Sequence, residues 1–300
     1  MSMDGILPVW KPADWTSHDV VAKTRRMLGI KRIGHTGTLD PAVTGVLPLC
    51  IGKATRLVEY LQEQPKEYEA RLIIGLATDT EDLTGKVTER VDRVELQEEE
   101  IRTAIRSFIG EIEQVPPMYS SVKVDGKRLY ELARQGEVVE RKPRRVTIHE
   151  LEITGLTFGT HPEVEFRVRC SKGTYIRSLC RDIGQALGYP SVMAQLVRTE
   201  TGGLRREHCL TLEQIADRVR DGTLAEALIP PDVAVEFLPP VRLDAGQSRL
   251  ASLGQRVTLT RGVDLSPGQL ARVYGEDTFI GLFRIRQDGR TLVPEKVFVP

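Results

Sequence analysis

GHTGTLDPAVTG, Gly34 to Gly45, holds one carboxylate, one imidazole and three glycines, and is entered through the basic pair Lys31-Arg32. Gly34 and Gly37 permit backbone conformations that other residues resist, and they let a ligand or another segment approach closely. Pro41 pushes Asp40 toward an extended conformation and fixes the φ that follows. A loop built this way suits a carboxylate that must point in one direction, as a nucleophile or general base does. It also suits an aspartate that caps its own turn. The loop alone leaves both readings open.

Other residues extend the chemistry. In SKGTYIRSLCRDIG, Arg177 falls in the first turn of a helix, where a cation opposes the dipole and calls for an anionic partner. Asp40 or a phosphate would serve, and so would an ordinary surface ion pair. Tyr68 lies at the centre of the inner face of KEYEARL, where an aromatic is either core or part of a site beside it. Residues 123–145 carry Lys123, Lys127, Arg128, Arg134, Arg141, Lys142, Arg144 and Arg145 against Asp125, Glu131, Glu137 and Glu140. The chain as a whole sums to zero. With Tyr119 and Tyr130 interleaved, this local excess fits a nucleic-acid surface as well as a solvated helix and loop.

Several classes of chemistry do not fit. Gly34 and Gly37 lack the G-x-G-x-x-G spacing. Gly52-Lys53 resembles the end of a Walker A, but Leu47 stands where its first glycine belongs and Ala54 follows the lysine. There is no H-E-x-x-H and no serine nucleophile elbow. Cys50, Cys170, Cys180 and Cys209 form no C-x-x-C pair, so no structural metal is expected. Set in apolar runs, they read as buried thiols of a reducing compartment.

The elements that must position these residues follow from length and periodicity. A chain of 300 residues, 40% hydrophobic and 28% charged, holds one large or two ordinary domains and enough apolar material for a core. The first residues show no signal peptide, and no apolar run is long enough to span a bilayer. A soluble, cytoplasmic monomer is expected. GILPVWKP predicts a strand, and SHDVVAKTRRML a helix capped by Ser17 with Val20, Val21, Thr24, Met27 and Leu28 on one face. VLPLCIG predicts a buried strand, KATRLVEYLQ a helix, and the alternating KEYEARLIIG a strand. LQEEEIRTAIRSFIGEI predicts a helix with Ile101, Ile105, Phe108 and Ile109 inward. Val124-Asp125-Gly126 predicts a turn before a helix around KRLYELARQG. EVEFRVRC is a strand running into a helix that Gly188 closes, and Thr211 caps one more helix. The proline pairs of IPPDVAVEFLPPV mark a boundary or semi-rigid connector. Beyond it, short apolar runs broken by glycine predict a small all-β module, a barrel.

GHTGTLDPAVTGVLPLCIGKATRL, KEYEARL, PPMYSSVKVDGKRLYELAR and CSKGTYIRSLCRDIG occur in an order and at separations that resemble bacterial tRNA pseudouridine synthases of the TruB type. Those enzymes isomerise uridine 55 in the T arm of tRNA. The resemblance covers essentially the whole chain. It implies an α+β fold: a long mixed, mainly antiparallel sheet in a catalytic domain over 1–235, with an RNA-binding insertion around 120–146. A small β-rich, PUA-like module over 241–300 would follow. Asp40 matches the catalytic aspartate, Tyr68 the tyrosine that packs on the target base, and Arg177 the arginine that pairs with the carboxylate and would hold its pKa down. His35 matches a position near the substrate backbone, and Leu196, in QLVRTETG, an apolar pocket residue. Tyr119, Lys123, Lys127, Arg128 and Arg134 are expected to grip the RNA. The loop glycines would then give clearance to a flipped nucleotide. Val43 and Arg56 depart mildly from the family pattern, where alanine and lysine are expected. No metal, nucleotide or organic cofactor is implied, and the partner is tRNA, not a membrane. A non-catalytic RNA chaperone, or an isomerase acting on another RNA, are the alternatives; a binder alone has no need of Asp40.

Overall fold

The computed structural model describes residues 3–298 apart from 121, 125, 138 and 261. Asp125 of the expected turn therefore lies outside the described residues. The order of elements begins β1 (Gly5–Lys11), α1 (Ser17–Leu28), β2 (Ile33–His35), β3 (Thr44–Ile51), α2 (Val58–Gln62) and β4 (Lys66–Ile74). A small hairpin of β5 (Leu76–Thr78) and β6 (Val87–Arg90), then α3 (Glu98–Arg106) and β7 (Gly110–Gln114), lead to a second hairpin of β8 (Lys123–Val124) and β9 (Lys127–Arg128). After α4 (Leu129–Arg134) come β10 (Arg144–Thr157), β11 (Glu163–Cys170), α5 (Ile176–Ala186), β12 (Ser191–Thr201), β13 (Leu204–Arg205) and α6 (Leu212–Arg220).

The main sheet runs β1-β3-β12-β4-β11-β10-β7, with β2 on β3 and β13 on β12. Only β3 and β12 pair in parallel, through Val197 with Thr44 and Arg198 with Gly45; the other pairings are antiparallel. This is the mixed, mainly antiparallel α+β sheet that was expected. β4 alternates as its sequence predicts, burying Tyr68, Ala70, Leu72 and Ile74. Ile101 and Ile105 of α3 and Ile176, Leu179 and Ile183 of α5 cover that face in one core. Val20 and Val21 of α1 and Ile215 of α6 form a second core against Leu7, Val9, Leu47 and Leu49.

Three local expectations need correction. The cap of α1 is Thr16, whose hydroxyl accepts from Asp19 N at 3.0 Å, and Ser17 is released for another task. α3 stops at Arg106, because the chain turns through Gly110 (φ 110°) to start β7, and Ile109 is left 48% exposed. The C-terminal module is not all-β. Its sheet, β14 (Pro240–Leu243), β16 (Leu270–Gly275), β17 (Thr278–Ile285), β18 (Thr291–Val297) and β15 (Val257–Thr258) in that order, is joined by α7 (Ala245–Ser252). Asp244 and Gln247 make the capping box that starts α7, a signal present in the sequence.

The proline-rich stretch is packed as a seam. Val235 is fully buried with Ile6, Cys50 and Leu57 on one side and Leu270, Leu282 and Phe298 on the other. Burying such a side chain stabilises by about 1.5–3 kcal/mol. Lys296 pairs with Glu59 at 2.8 Å, and Arg56 donates to the Val297 carbonyl across the same seam.

The parallel contact between β3 and β12 depends on Gly45 (φ 125°), where a Cβ would lie 2.2 Å from the Arg198 carbonyl oxygen. Gly45→Ala should therefore cost about 3 kcal/mol or more, since both backbone strain and overlap oppose it. The check is urea unfolding, where the midpoint falls at unchanged m; an unshifted midpoint contradicts the packing described.

Candidate active site

The loop between β2 and β3 is anchored at both flanks of Asp40. Leu39 and Val43 are buried in the main core, so the valine that departs from the family pattern is a packing residue. Ser17 Oγ accepts from Leu39 N at 2.9 Å. The Pro41 carbonyl accepts from Lys11 Nζ at 3.0 Å and from Asp14 N at 2.9 Å. The turn itself is closed by Val43 N donating to the Asp40 carbonyl at 3.1 Å. With the backbone closing the turn, the carboxylate is left to face outward, 40% exposed. It meets Arg177 Nη2 at 2.9 Å.

Arg177 sits in the first turn of α5, and its side chain is 5% exposed. Gln114 stands in for a capping side chain, accepting from Tyr175 N at 2.8 Å and donating to the Tyr175 carbonyl at 3.0 Å. The guanidinium also donates to the carbonyls of Thr80 at 3.0 Å and Tyr119 at 2.8 Å, and Asp82 lies 4.0 Å from its Nε. The same helix holds the Thr80–Asp82 turn in place, with Ser178 Oγ donating to Glu81 Oε2 at 2.7 Å and Arg181 paired to Glu81.

The net effect on Asp40 is opposite to the expectation. Burial raises its pKa above the ordinary 3.8, with Asp82 adding to the rise, while Arg177 and Lys11 pull it down; the net direction is up. Partial burial thus outweighs the opposing pull of Arg177 and Lys11.

Tyr68 is 9% exposed, and burial raises its phenol pKa. The register pairs it with Arg198 and pairs Ala70 with Leu196, so these residues share one face of adjacent strands. Leu196 packs half-buried on the main core. His35 ends β2 and meets His18 edge-on, with ring centroids 5.7 Å apart; burial, then the neighbouring His18 and Arg198 charges, lower its pKa. Tyr119 joins the site through its carbonyl.

Lys123, Lys127, Arg128 and Arg134 stand apart on the β8–β9 hairpin and α4. Arg128 and Arg134 flank the Tyr130 ring, at 5.8 and 5.5 Å from its centroid. Arg145 lies 3.4 Å from Glu111 and 3.9 Å from Glu113 on β7, with all three side chains exposed.

Sequence reasoning missed Lys11 and Arg198. Both are fully or almost fully buried, and both bond the backbone of the Asp40 loop. A lysine ending an apolar strand and an arginine at an inward position of an alternating one were the available signals. Two of the loop glycines lie against Arg198: a Cβ on Gly37 would come within 3.3 Å of its Nη1, and one on Gly45 within 2.2 Å of its carbonyl oxygen.

On this mixed sheet an aspartate is held against a buried arginine and a tyrosine is buried, and what the chain matches defines the class, the pseudouridine synthases. Residues 25–176 match the N-terminal domain of TruB family pseudouridylate synthases. Residues 177–236 and 239–298 match two C-terminal domains of the same family. The chain is 44% identical to tRNA pseudouridine synthase B of Clostridium tetani, over 97% of this chain and 99% of that one. It is 45% identical to the protein of that name from Geobacillus thermodenitrificans, over 99% and 100%. It is similar to a solved Cbf5-Nop10-Gar1 complex, with 29% identity, a TM-score of 0.78, and coverage of 99% of this chain and 86% of that one. The chain belongs to the TruB family and is a pseudouridine synthase, an isomerase.

Carboxyl-carbon NMR titration should place Asp40 above 3.8 in the intact protein. Arg177→Gln, which removes the largest influence lowering that pKa, should move the midpoint further up. A midpoint below 3.8, or a fall in the variant, contradicts the balance of burial and charge described.

Proposed function

We propose that the protein converts uridine 55 in the T arm of tRNA to pseudouridine, with Asp40 as its one catalytic carboxylate. The observation that carries this reading is the Arg177–Asp40 pair, whose arginine is buried and whose carboxylate is open, beside Tyr68. The relatives named tRNA pseudouridine synthase B support the tRNA substrate. A protein that only bound RNA needs basic and aromatic groups, not a partly open carboxylate held against an arginine.

The reaction breaks the N1–C1′ bond, turns the uracil, joins C5 to C1′, gives a proton to N1 and removes one from C5. No electrons or groups enter or leave, so the chemistry calls for no redox or group-transfer cofactor. The ionised Asp40 acts on the base or on C1′, held in line by Arg177 and by the two contacts to Pro41. Tyr68 stacks on the uracil. Its raised pKa keeps the phenol neutral, which suits stacking better than removal of the C5 proton. Leu196 lines the pocket beside it.

The target base must leave its stack, at a cost of a few kcal/mol. His35 and Tyr119 meet the nucleotides near the opened position. Lys123, Lys127, Arg128 and Arg134, in an insertion over 120–146 of the catalytic domain (1–235), grip phosphates. A PUA-like module over 241–300, with nine Lys and Arg against six Asp and Glu after residue 240, meets another part of the tRNA. Binding should weaken steeply with salt. The enzyme is taken to act as a cytoplasmic monomer.

Asp40→Asn should abolish tritium release from a T-arm stem-loop labelled at uracil C5, while binding the stem-loop as wild type does. For wild type, kcat/KM should fall on the acid side with a midpoint above 3.8, because the ionised form is the active one. Appreciable release by the variant removes Asp40 from catalysis.

A further inference from the structure

Arg198 has no part in the roles given above, yet its setting is unusual. It is 1% exposed and heads the described side chains in size among those fully buried. Its Nε donates to the Val46 carbonyl at 2.7 Å and its Nη2 to the Gly37 carbonyl at 3.2 Å. These partners are carbonyls, not carboxylates. A buried charge satisfied only by dipoles is costly, and an apolar side chain of similar volume often gives a more stable fold. Tying two strands together does not require a cation.

What the cation reaches explains its placement. Val46 lies in β3 just after the Asp40 loop, and Gly37 lies within that loop before Asp40. One guanidinium therefore bridges both sides of the loop. Arg198 is also the register partner of Tyr68 on the neighbouring strand, so its side chain rises from the same face. Its charge favours the phenolate of Tyr68, against the larger effect of burial, and disfavours protonation of His35. Gly37 fits closely against the guanidinium, where a Cβ would come within 3.3 Å of Nη1, while Gly45 lies against the Arg198 backbone, where a Cβ would come within 2.2 Å of its carbonyl oxygen.

We infer that Arg198 is a positioning residue that fixes the Asp40 loop against Tyr68, setting the distance between catalytic carboxylate and stacked base. This rests on the reading that Asp40 and Tyr68 act on uridine.

The test uses the full-length protein and a T-arm stem-loop in single-turnover tritium release, with stem-loop affinity and thermal unfolding measured alongside. Arg198→Met removes the cation and keeps the volume. It should stay folded and bind the stem-loop within about twofold of wild type, while its rate falls about tenfold or more. In a Tyr68→Phe background the same substitution should slow the reaction by a smaller factor, because the two residues act through one geometry. Arg198→Lys, which keeps a charge and loses the fork, should fall between wild type and Arg198→Met; it carries the test if the methionine variant does not fold. A full rate in a folded variant overturns the inference, as does a loss that multiplies independently with Tyr68→Phe or one seen entirely in affinity. Asp40→Asn separates the two levels. If that variant is active, the functional reading fails; if it is inactive while Arg198→Met is fully active, only the role of Arg198 fails.

Discussion

The Arg177 guanidinium is taken almost wholly out of water, and the surrounding structure is arranged to make that tolerable. Burying an ion costs several kcal/mol unless its donors are met. Here they are met from three directions: the Asp40 loop, the Thr80–Asp82 turn and the Tyr119 carbonyl. Each of those segments comes from a different part of the sequence. The arginine therefore gathers the β2–β3 loop, the β5–β6 hairpin and the start of the basic segment around the first turn of α5.

The same interaction explains how Asp40 is held while its carboxylate stays partly open. A fully exposed aspartate would be ionised but unaimed. A fully buried one would stay protonated. Asp40 lies between these, with its backbone pinned through Ser17, Lys11 and Asp14 and its carboxylate partly open. Two buried cations, Lys11 and Arg198, reach this loop, and both bond carbonyls of the loop. Lys11, whose pKa burial lowers to about 8, is drawn back toward its charged form by Asp40. The loop is thus set among positive charges before any RNA phosphate arrives, a form of electrostatic preorganisation.

Much of this was legible in the sequence, for local reasons. Arg177 falls at a helix start, where a cation needs an anion, and Asp40 is the anion it meets. Tyr68 follows from strict alternation in β4. The basic excess near Lys127 was equally readable, whereas the long mixed sheet and the pairing of Arg177 with Asp40 came from the resemblance to the TruB type. What escaped was set by tertiary register. Arg198 becomes important only because β12 lies between β3 and β4, which places it beside Gly45 and opposite Tyr68 at once. The glycines of GHTGTLDPAVTG announce a close approach but not by what: at Gly37 it is the Arg198 side chain, and at Gly45 the Arg198 backbone. Ser17 shows how a one-residue shift of a helix cap changes a role, since Thr16 takes the cap and frees Ser17 to hold Leu39. The rise in the Asp40 pKa was hidden for a related reason: a charge partner can be read from sequence, whereas the loss of water around it cannot.

The most direct test is nucleotide-resolution mapping of pseudouridine in an unmodified tRNA transcript after treatment with the wild-type protein, with Asp40→Asn run in parallel. Conversion confined to uridine 55 by wild type, and none by the variant, is the expected result. Conversion at another position, or at uridine 55 by Asp40→Asn, would contradict the proposal that Asp40, aimed by Arg177, isomerises that nucleotide.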